Sequence, residues 1–290
     1  MGYFRQLGLE KEPFSTSPDP DFFYLSKEHD LALTNVLIEL YLRRGLSVVL
    51  GDVGTGKTTL SRKLIQCLTE KGDFVLNILL DPYFKSERHF LQALMLNFGE
   101  EAERLLPVGR LARDLSALEL KQLLQKYLYE QCVIRKKTVV VIIDEAQKLS
   151  RSSIEMLRVI LNYETNDSKL LQLVLLGQLE LQDKIATMSN FFDRISFKYT
   201  LNPLGMQETR DLIDFRMRRA GYGGARNLFL NEAVELIQEA SSGYPRKITQ
   251  LCHRALKVAI MKNRWAVCES TVRELIEEDA KSGWLSPIHH

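Results

Sequence analysis

Residues 48–60 read VVLGDVGTGKTTL, and this stretch narrows the possible folds more than any other in the chain. A β-branched apolar run enters it, three glycines (Gly51, Gly54, Gly56) interrupt it, and Lys57, Thr58 and Thr59 open the segment that leaves. The entering run suits a buried strand. The leaving segment, KTTLSRKL, spaces its apolar residues as a helix does. Between the two, glycines permit a tight backbone path that a Cβ would obstruct. Strand, glycine turn and helix in immediate succession begin a β–α unit, which implies a parallel sheet covered by helices.

The same rhythm continues as far as residue 203. Apolar runs predict strands at 46–50, 74–80, 138–143, 171–176 and 196–201. Helical spacing predicts helices at 57–71, 87–98, 118–132 and 154–163. Leu33, Val36, Leu37, Leu40 and Tyr41 form a further helical face, which Gly45 is expected to stop. Strand 138–143 lacks polar alternation, as befits burial on both faces. After Pro203 strands cease, and helices are predicted at 206–220, 231–240, 245–262 and 271–281. The expected organisation is an N-terminal loop and helix packed on the core (1–45), an α/β domain (46–203) and a small all-helical lid domain (204–290). Phe14, Phe22, Phe23 and Tyr24 mark the loop at 11–30 as wrapped on that core.

Residues 51–58, Gly51-Asp52-Val53-Gly54-Thr55-Gly56-Lys57-Thr58, fit the pattern GxxxxGK[ST]. In such a loop successive backbone N–H groups turn inward to bind phosphate oxygens, and the following helix presents its positive end. Lys57 is placed to reach the β- and γ-phosphates, and the Thr58 hydroxyl to ligate Mg²⁺, with Thr59 completing the loop. A second stretch, TVVVIIDE at 138–145, ends a buried strand in two carboxylates at the sheet edge where the loop also lies. Asp144 is the candidate to hold Mg²⁺ with Thr58, and Glu145 to polarise the attacking water. The bland alternative is a solvated acidic pair that caps the next helix.

A third strand, LVLLGQ at 173–178, ends in Gln178. In P-loop ATPases of the ASCE type, which insert a strand between the two motifs, this edge carries a polar sensor of the γ-phosphate. Gln178 is the candidate, against a simple helix cap. Arg194, in FFDRISF, stands where an oligomeric ATPase offers an arginine finger to its neighbour's nucleotide, and a surface salt bridge is its alternative. Arg246, in SGYPR, opens a helix and could contact the γ-phosphate from the lid.

Taken together these motifs resemble the AAA+ ATPases, and more narrowly the ExeA/GspA family of secretion and pilus-biogenesis ATPases, including its MshM-like members. The matching segments are GLEKEPFSTSPDPDFFYLSKEHDLAL, VVLGDVGTGKTTLSRKL, IIDEAQKLS, LRVILNYETND, LLQLVLLGQLEL and SGYPRKITQLCHRAL. GQLEL departs slightly from the GQPEL more usual in relatives. The resemblance implies a P-loop NTPase (AAA+/ASCE) sheet with a helical lid, ATP and Mg²⁺ as cofactors, and a homo-oligomer, ring or helical, with Arg194 acting in trans. It implies nucleotide held between sheet edge and lid, turnover coupled to a secretion (type II) or pilus partner, and a cytoplasmic position recruited to the inner membrane. ExeA-type proteins continue into a membrane span and a peptidoglycan-binding domain. The expectation is therefore either the cytoplasmic part of a longer protein or a naturally short member, with His289-His290 native or a tag remnant. The competing function is a DNA-bound transposition regulator of the TnsC/TniB type. A DEAD-type helicase would need a second RecA-like domain, which the helical stretch after residue 204 leaves no room for.

Composition bears on that choice. With 39 basic and 37 acidic residues, net charge +2, no bulk field draws the chain to nucleic acid or anionic lipid. The densest basic runs, 135–137 and 216–219, are short, so nucleic acid remains possible but not favoured. Cys67, Cys132, Cys252 and Cys268 show no metal-ligand spacing and read as reduced thiols. The N-terminus lacks an uninterrupted apolar core of a secretory signal, and Gln6 breaks the myristoylation pattern after Gly2. No aliphatic run approaches the ~20 residues of a membrane span.

Overall fold

A computed structural model describes residues 3–15, 20–166, 168–224 and 227–282. Gly2, residues 16–19 of the N-terminal loop and the closing stretch at 284–290, with His289 and His290, lie outside the described residues. The chain divides into two compact units, one of residues 27–53 and 57–201, the other of residues 1–26, 54–56 and 202–290.

The α/β unit is built on five parallel strands: β1 (Leu46–Gly51), β2 (Phe74–Leu79), β3 (Thr138–Ile143), β4 (Leu171–Gly177) and β5 (Ile195–Leu201). Their order across the sheet is β2-β3-β4-β1-β5. β4 thus lies between the strand that feeds the glycine loop and the strand that ends in carboxylates, the insertion that the motifs imply. Leu50 pairs with Gly177 and Ile143 with Leu175, so the three carboxyl ends meet at one edge. β1, β3 and β4 are buried throughout, which explains their largely apolar composition, with Ser47, Thr138 and Gln172 the polar exceptions. β5 is an edge strand and alternates half-buried with exposed residues.

Helices α1 (Lys27–Tyr41), α2 (Lys57–Thr69), α3 (Glu87–Asn97), α4 (Glu100–Glu103), α5 (Ala117–Tyr129), α6 (Arg151–Ile160), α7 (Glu180–Ala186) and α8 (Ser189–Phe192) accompany the sheet. Period-two alternation sends Val139, Val141 and Ile143 to one face of β3, into a core with Phe90, Leu94, Leu124 and Leu157. α2 packs along β1, β2 and β4 through the stripe Leu60, Leu64 and Leu68. Gly45 does not stop α1: Arg43 takes the left-handed turn (φ 53) while Arg44 N–H donates to Glu39 O at 3.1 Å. The reason is tertiary, because the Arg43 side chain is held by Thr138 Oγ1 at 3.2 Å. α5 also ends earlier than its periodicity suggests, passing into a π-helical turn at Glu130–Ile134.

The second unit holds α9 (Met206–Arg219), α10 (Asn231–Ser241), α11 (Pro245–Met261) and α12 (Glu269–Lys281). Leu212, Ile213, Val234, Ile237, Ile248, Cys252, Leu256 and Val272 form its core. The first 45 residues divide between the units. Leu9, Phe14 and Phe22 join the helical core, with Phe14 edge-on to Phe229 at 5.5 Å, whereas α1 packs on β5. Arg216 secures the N-terminal segment by donating to Ser15 O at 3.0 Å.

Candidate nucleotide-binding and catalytic site

β1 delivers the chain to the sheet edge at Gly51, and α2 begins at Lys57, so five residues must turn the backbone through the loop. Gly54 (φ 88) and Gly56 (φ 99) supply the left-handed conformations this path needs. Val53 stands exposed, Asp52 and Thr58 are half-buried, and Thr55 is fully buried. The first N–H groups of a helix have no partner within the helix itself, which is what a phosphate cradle uses.

Lys57 is 6% exposed and its Nζ donates to Gly51 O at 2.7 Å and to Asp52 O at 2.8 Å. The lysine therefore lies folded back along its own loop. Burial pushes its pKa down, while Glu145, Asp144, Asp52 and Glu180 oppose that shift. Asp144 is 3% exposed. Burial pushes its carboxyl upward, against the Thr58 hydroxyl and the Glu145 N–H (2.9 Å to Oδ1), which both stabilise the anion.

Glu145 adopts the left-handed region (φ 51, ψ 37), which a non-glycine residue rarely occupies. This abrupt turn ends the extended chain and begins a 3₁₀ turn, Ala146–Lys148. The Glu145 carboxylate accepts from Gln147 Nε2 at 2.7 Å and from Gln178 Nε2 at 3.5 Å. Lys57, Thr58, Asp144, Glu145 and Gln178, separate in sequence, thus converge at one sheet edge. The two arginines behave differently. Arg246 is exposed at the start of α11, and its N–H donates to Gly54 O at 3.3 Å within the same unit. Arg194 is half-buried, makes no hydrogen bond or ion pair to the Lys57–Glu145 cluster among the described residues, and its buried Nε finds no hydrogen-bond partner there.

Residues 41–185 match the AAA domain family, half of the chain. The chain belongs to the AAA family. It is an ATPase by that membership and by the loop and carboxylates just described. This AAA ATPase is 34% identical over 262 residues to general secretion pathway protein A of Aeromonas hydrophila, covering 90% of this chain and 45% of that protein. It spans less than half the length of the curated relatives it matches. Among solved structures it is similar to Cdc6p of Pyrobaculum aerophilum (TM-score 0.64, 20% identity, 92% of this chain and 70% of that one). It is also similar to the Aeropyrum pernix ORC2 protein in its ADPNP-ADP complexes (TM-score 0.63, 17% identity, 90% of this chain and 71% of that one). At such identity these two speak for the fold alone.

Three residues of the candidate site escaped the motif reading. Gln147 bridges Glu145 and the end of β4, accepting the Gln178 N–H at 3.0 Å. Lys184 of α7 donates to Leu149 O at 2.9 Å and to Gln147 O, which ties down the 3₁₀ turn. Glu180, also on α7, adds to the negative field at Lys57. Gln147 was visible in DEAQ, but nothing in a linear pattern says that its side chain turns back toward Glu145. Lys184 and Glu180 sit on a helix that the sequence periodicity had not revealed.

Proposed function

We propose that this AAA ATPase binds and hydrolyses Mg-ATP, assembles into a homo-oligomer, and couples turnover to the assembly or remodelling of a secretion or pilus complex at the inner membrane. The identity of 34% to a secretion pathway protein along 90% of the chain is the observation that carries this reading. Lys57 would leave the carbonyls of Gly51 and Asp52 to hold the β- and γ-phosphates, with the N–H groups of Gly51, Asp52, Val53, Gly54, Thr55 and Gly56, and those of Thr58 and Thr59 at the head of α2. The donors suit Mg²⁺: a hydroxyl (Thr58) already bonded to a carboxylate (Asp144) gives two adjacent hard oxygens, and a metal bound through phosphates needs few protein ligands. When bound, the metal would neutralise phosphate charge and align the terminal oxygens.

Glu145 orients and polarises the attacking water in this reading, and Gln178 senses the γ-phosphate from the end of β4. Arg246, bonded through its N–H to Gly54, contributes charge near the phosphates. Arg194 acts across a protomer boundary, spreading transition-state charge in a neighbour's site. In this assignment residues 46–203 carry the chemistry, residues 204–290 are the helical lid domain, and recruitment to the cytoplasmic face of the membrane runs through a partner. No helix among the described residues is long and apolar enough to cross a membrane.

The test replaces the native gene with Glu145→Gln in the source cell. Lys57→Ala should lose nucleotide binding in vitro, while Glu145→Gln binds ATP, turns over ~10²–10⁴-fold more slowly, and accumulates as an oligomer. In cells Glu145→Gln should block export of secreted proteins or display of surface pili. Normal export and piliation, together with ATP-dependent capture of duplex DNA at about 150 mM salt, where weak charge attraction is screened, would transfer the assignment to a DNA-bound regulator.

A further inference from the structure

Glu145 has a left-handed backbone and is half-buried, and its carboxylate accepts a short hydrogen bond from one side chain, Gln147. The Gln147 amide has chemically distinct ends, and its surroundings use both. Its Nε2 lies 2.7 Å from Glu145 Oε2, and its Oε1 lies 3.0 Å from the Gln178 backbone nitrogen. A backbone N–H can only donate and a carboxylate can only accept, so the amide can sit in one orientation alone. Gln178 also approaches Glu145 with its own Nε2, but at 3.5 Å, the outer limit of a hydrogen bond. The short bond to the carboxylate is therefore the one from Gln147.

The backbone beneath this amide is pinned as well. Lys184 Nζ donates to the carbonyls of Gln147 and Leu149. Gly177, the last residue of β4, comes so close that a Cβ there would lie 3.4 Å from Gln147 N and 2.7 Å from Leu181 Cδ2. A Cβ at 177 would thus press on the Leu181 side chain of α7 while meeting the 3₁₀ turn only at ordinary contact distance. Each of these contacts acts on the placement of Gln147, not on its chemistry.

We infer that Gln147 is a positioning residue: its amide fixes the Glu145 carboxylate and links it to the backbone of Gln178, so that the water-polarising group and the sensor strand end move as one. The inference rests on the assignment of Glu145 proposed above. A displacement of Gln178 by ligand must pull on Gln147 Oε1, and through Nε2 it must reorient Glu145. Removing the amide leaves the phosphate loop untouched, because Gln147 makes no hydrogen bond to residues 51–59 among the described residues.

Single-turnover ATP hydrolysis by the full chain, with nucleotide affinity measured separately, decides the matter. Gln147→Met keeps the volume and removes both hydrogen bonds. It should lower the hydrolysis rate by about 10–100-fold, the scale of a misplaced catalytic group, with ATP affinity within about twofold. Gln147→Glu keeps an acceptor for the Gln178 N–H and sets a second carboxylate against Glu145, so it should lose at least as much activity and covers the case in which Gln147→Met folds poorly. In a Glu145→Gln background, Gln147→Met should cause no further loss, whereas a residue that merely supports the fold would subtract again. If Glu145→Gln is inactive yet Gln147→Glu turns over at the wild-type rate, or if the losses in the double variant multiply, the positioning role is wrong. If Glu145→Gln itself keeps wild-type turnover, the assignment of Glu145 falls first and this inference falls with it.

Discussion

Asp144 shows what the site demands of single residues. Its carboxyl is buried at the end of a fully apolar strand, and desolvation outweighs the hydrogen bonds from Thr58 and the Glu145 N–H and the attraction of Lys57. The native state then holds a proton on Asp144 more readily than the unfolded chain does. This group's contribution to stability accordingly falls as pH rises from the ordinary carboxylate value, about 4, through the raised native value. Asp144→Asn removes the buried charge while keeping an acceptor for the Glu145 N–H. The ligand-free variant should melt about 2–4 °C higher, the shift that ~1 kcal/mol produces in a chain of this size, and should lose ATP turnover. Calorimetry beside an ATPase assay checks both, and a lower melting temperature would show that Asp144 is held mainly by Lys57. Such an exchange of stability for function is common where a catalytic group must be kept buried.

At the scale of elements, the start of α11 is the clearest case of a motif with two meanings. SGYPR reads as a functional helix opening, and Pro245 does occupy the first helical position. Gly243, however, answers to packing: it has φ 73, its carbonyl accepts from Leu204 N–H at 2.8 Å, and a Cβ would stand 2.2 Å from Leu204 O. A backbone carbonyl cannot swing aside as a side chain can. Gly243→Ala should destabilise the helical unit by about 3 kcal/mol, read as a shifted urea midpoint, and an unchanged midpoint would refute the contact. The start of α12 offers a second test. Hydrogen bonds from Ser270 and Thr271 to Cys268 pull its thiol down to about 7, while burial pushes Cys132 and Cys252 upward. Iodoacetamide should therefore alkylate Cys268 with a midpoint near that pH, well before the two buried thiols, as peptide mapping would show.

For the whole molecule, the open matter is assembly. No carboxylate among the described residues lies within salt-bridge distance of Arg194, and its half-buried guanidinium leaves Nε without a partner. If it serves a neighbour's nucleotide, specific activity should rise with protein concentration in the native chain. Arg194→Ala should bind ATP normally and lose that rise, with about 10³-fold or greater loss in the assembled state, as for other arginine fingers. Full turnover by Arg194→Ala at every concentration would remove the trans role.

Local physics carried much of this protein into its sequence. Strands buried on both faces are continuous apolar runs, helices have a 3.6-residue period, and a phosphate loop needs glycines and a lysine in fixed order. For these reasons β1, β3, β4 and α2 were legible within a residue or two, as were Lys57, Thr58 and Asp144. Gln178 was legible because it ends an apolar strand. Tertiary structure alone decided what depends on contacts between distant segments. It set β2 and β5 at the two edges of the sheet, because the outer strand order follows from how crossovers pack. It put the left-handed turn that follows α1 at Arg43, ahead of Gly45, since Thr138, 95 positions away, holds that arginine. It drew Leu9, Phe14 and Phe22 of the N-terminal segment into the helical core. It also turned the Gln147 amide onto Glu145, beside the left-handed turn at Glu145 and above carbonyls held by Lys184, neither of which a pattern of residue types can encode.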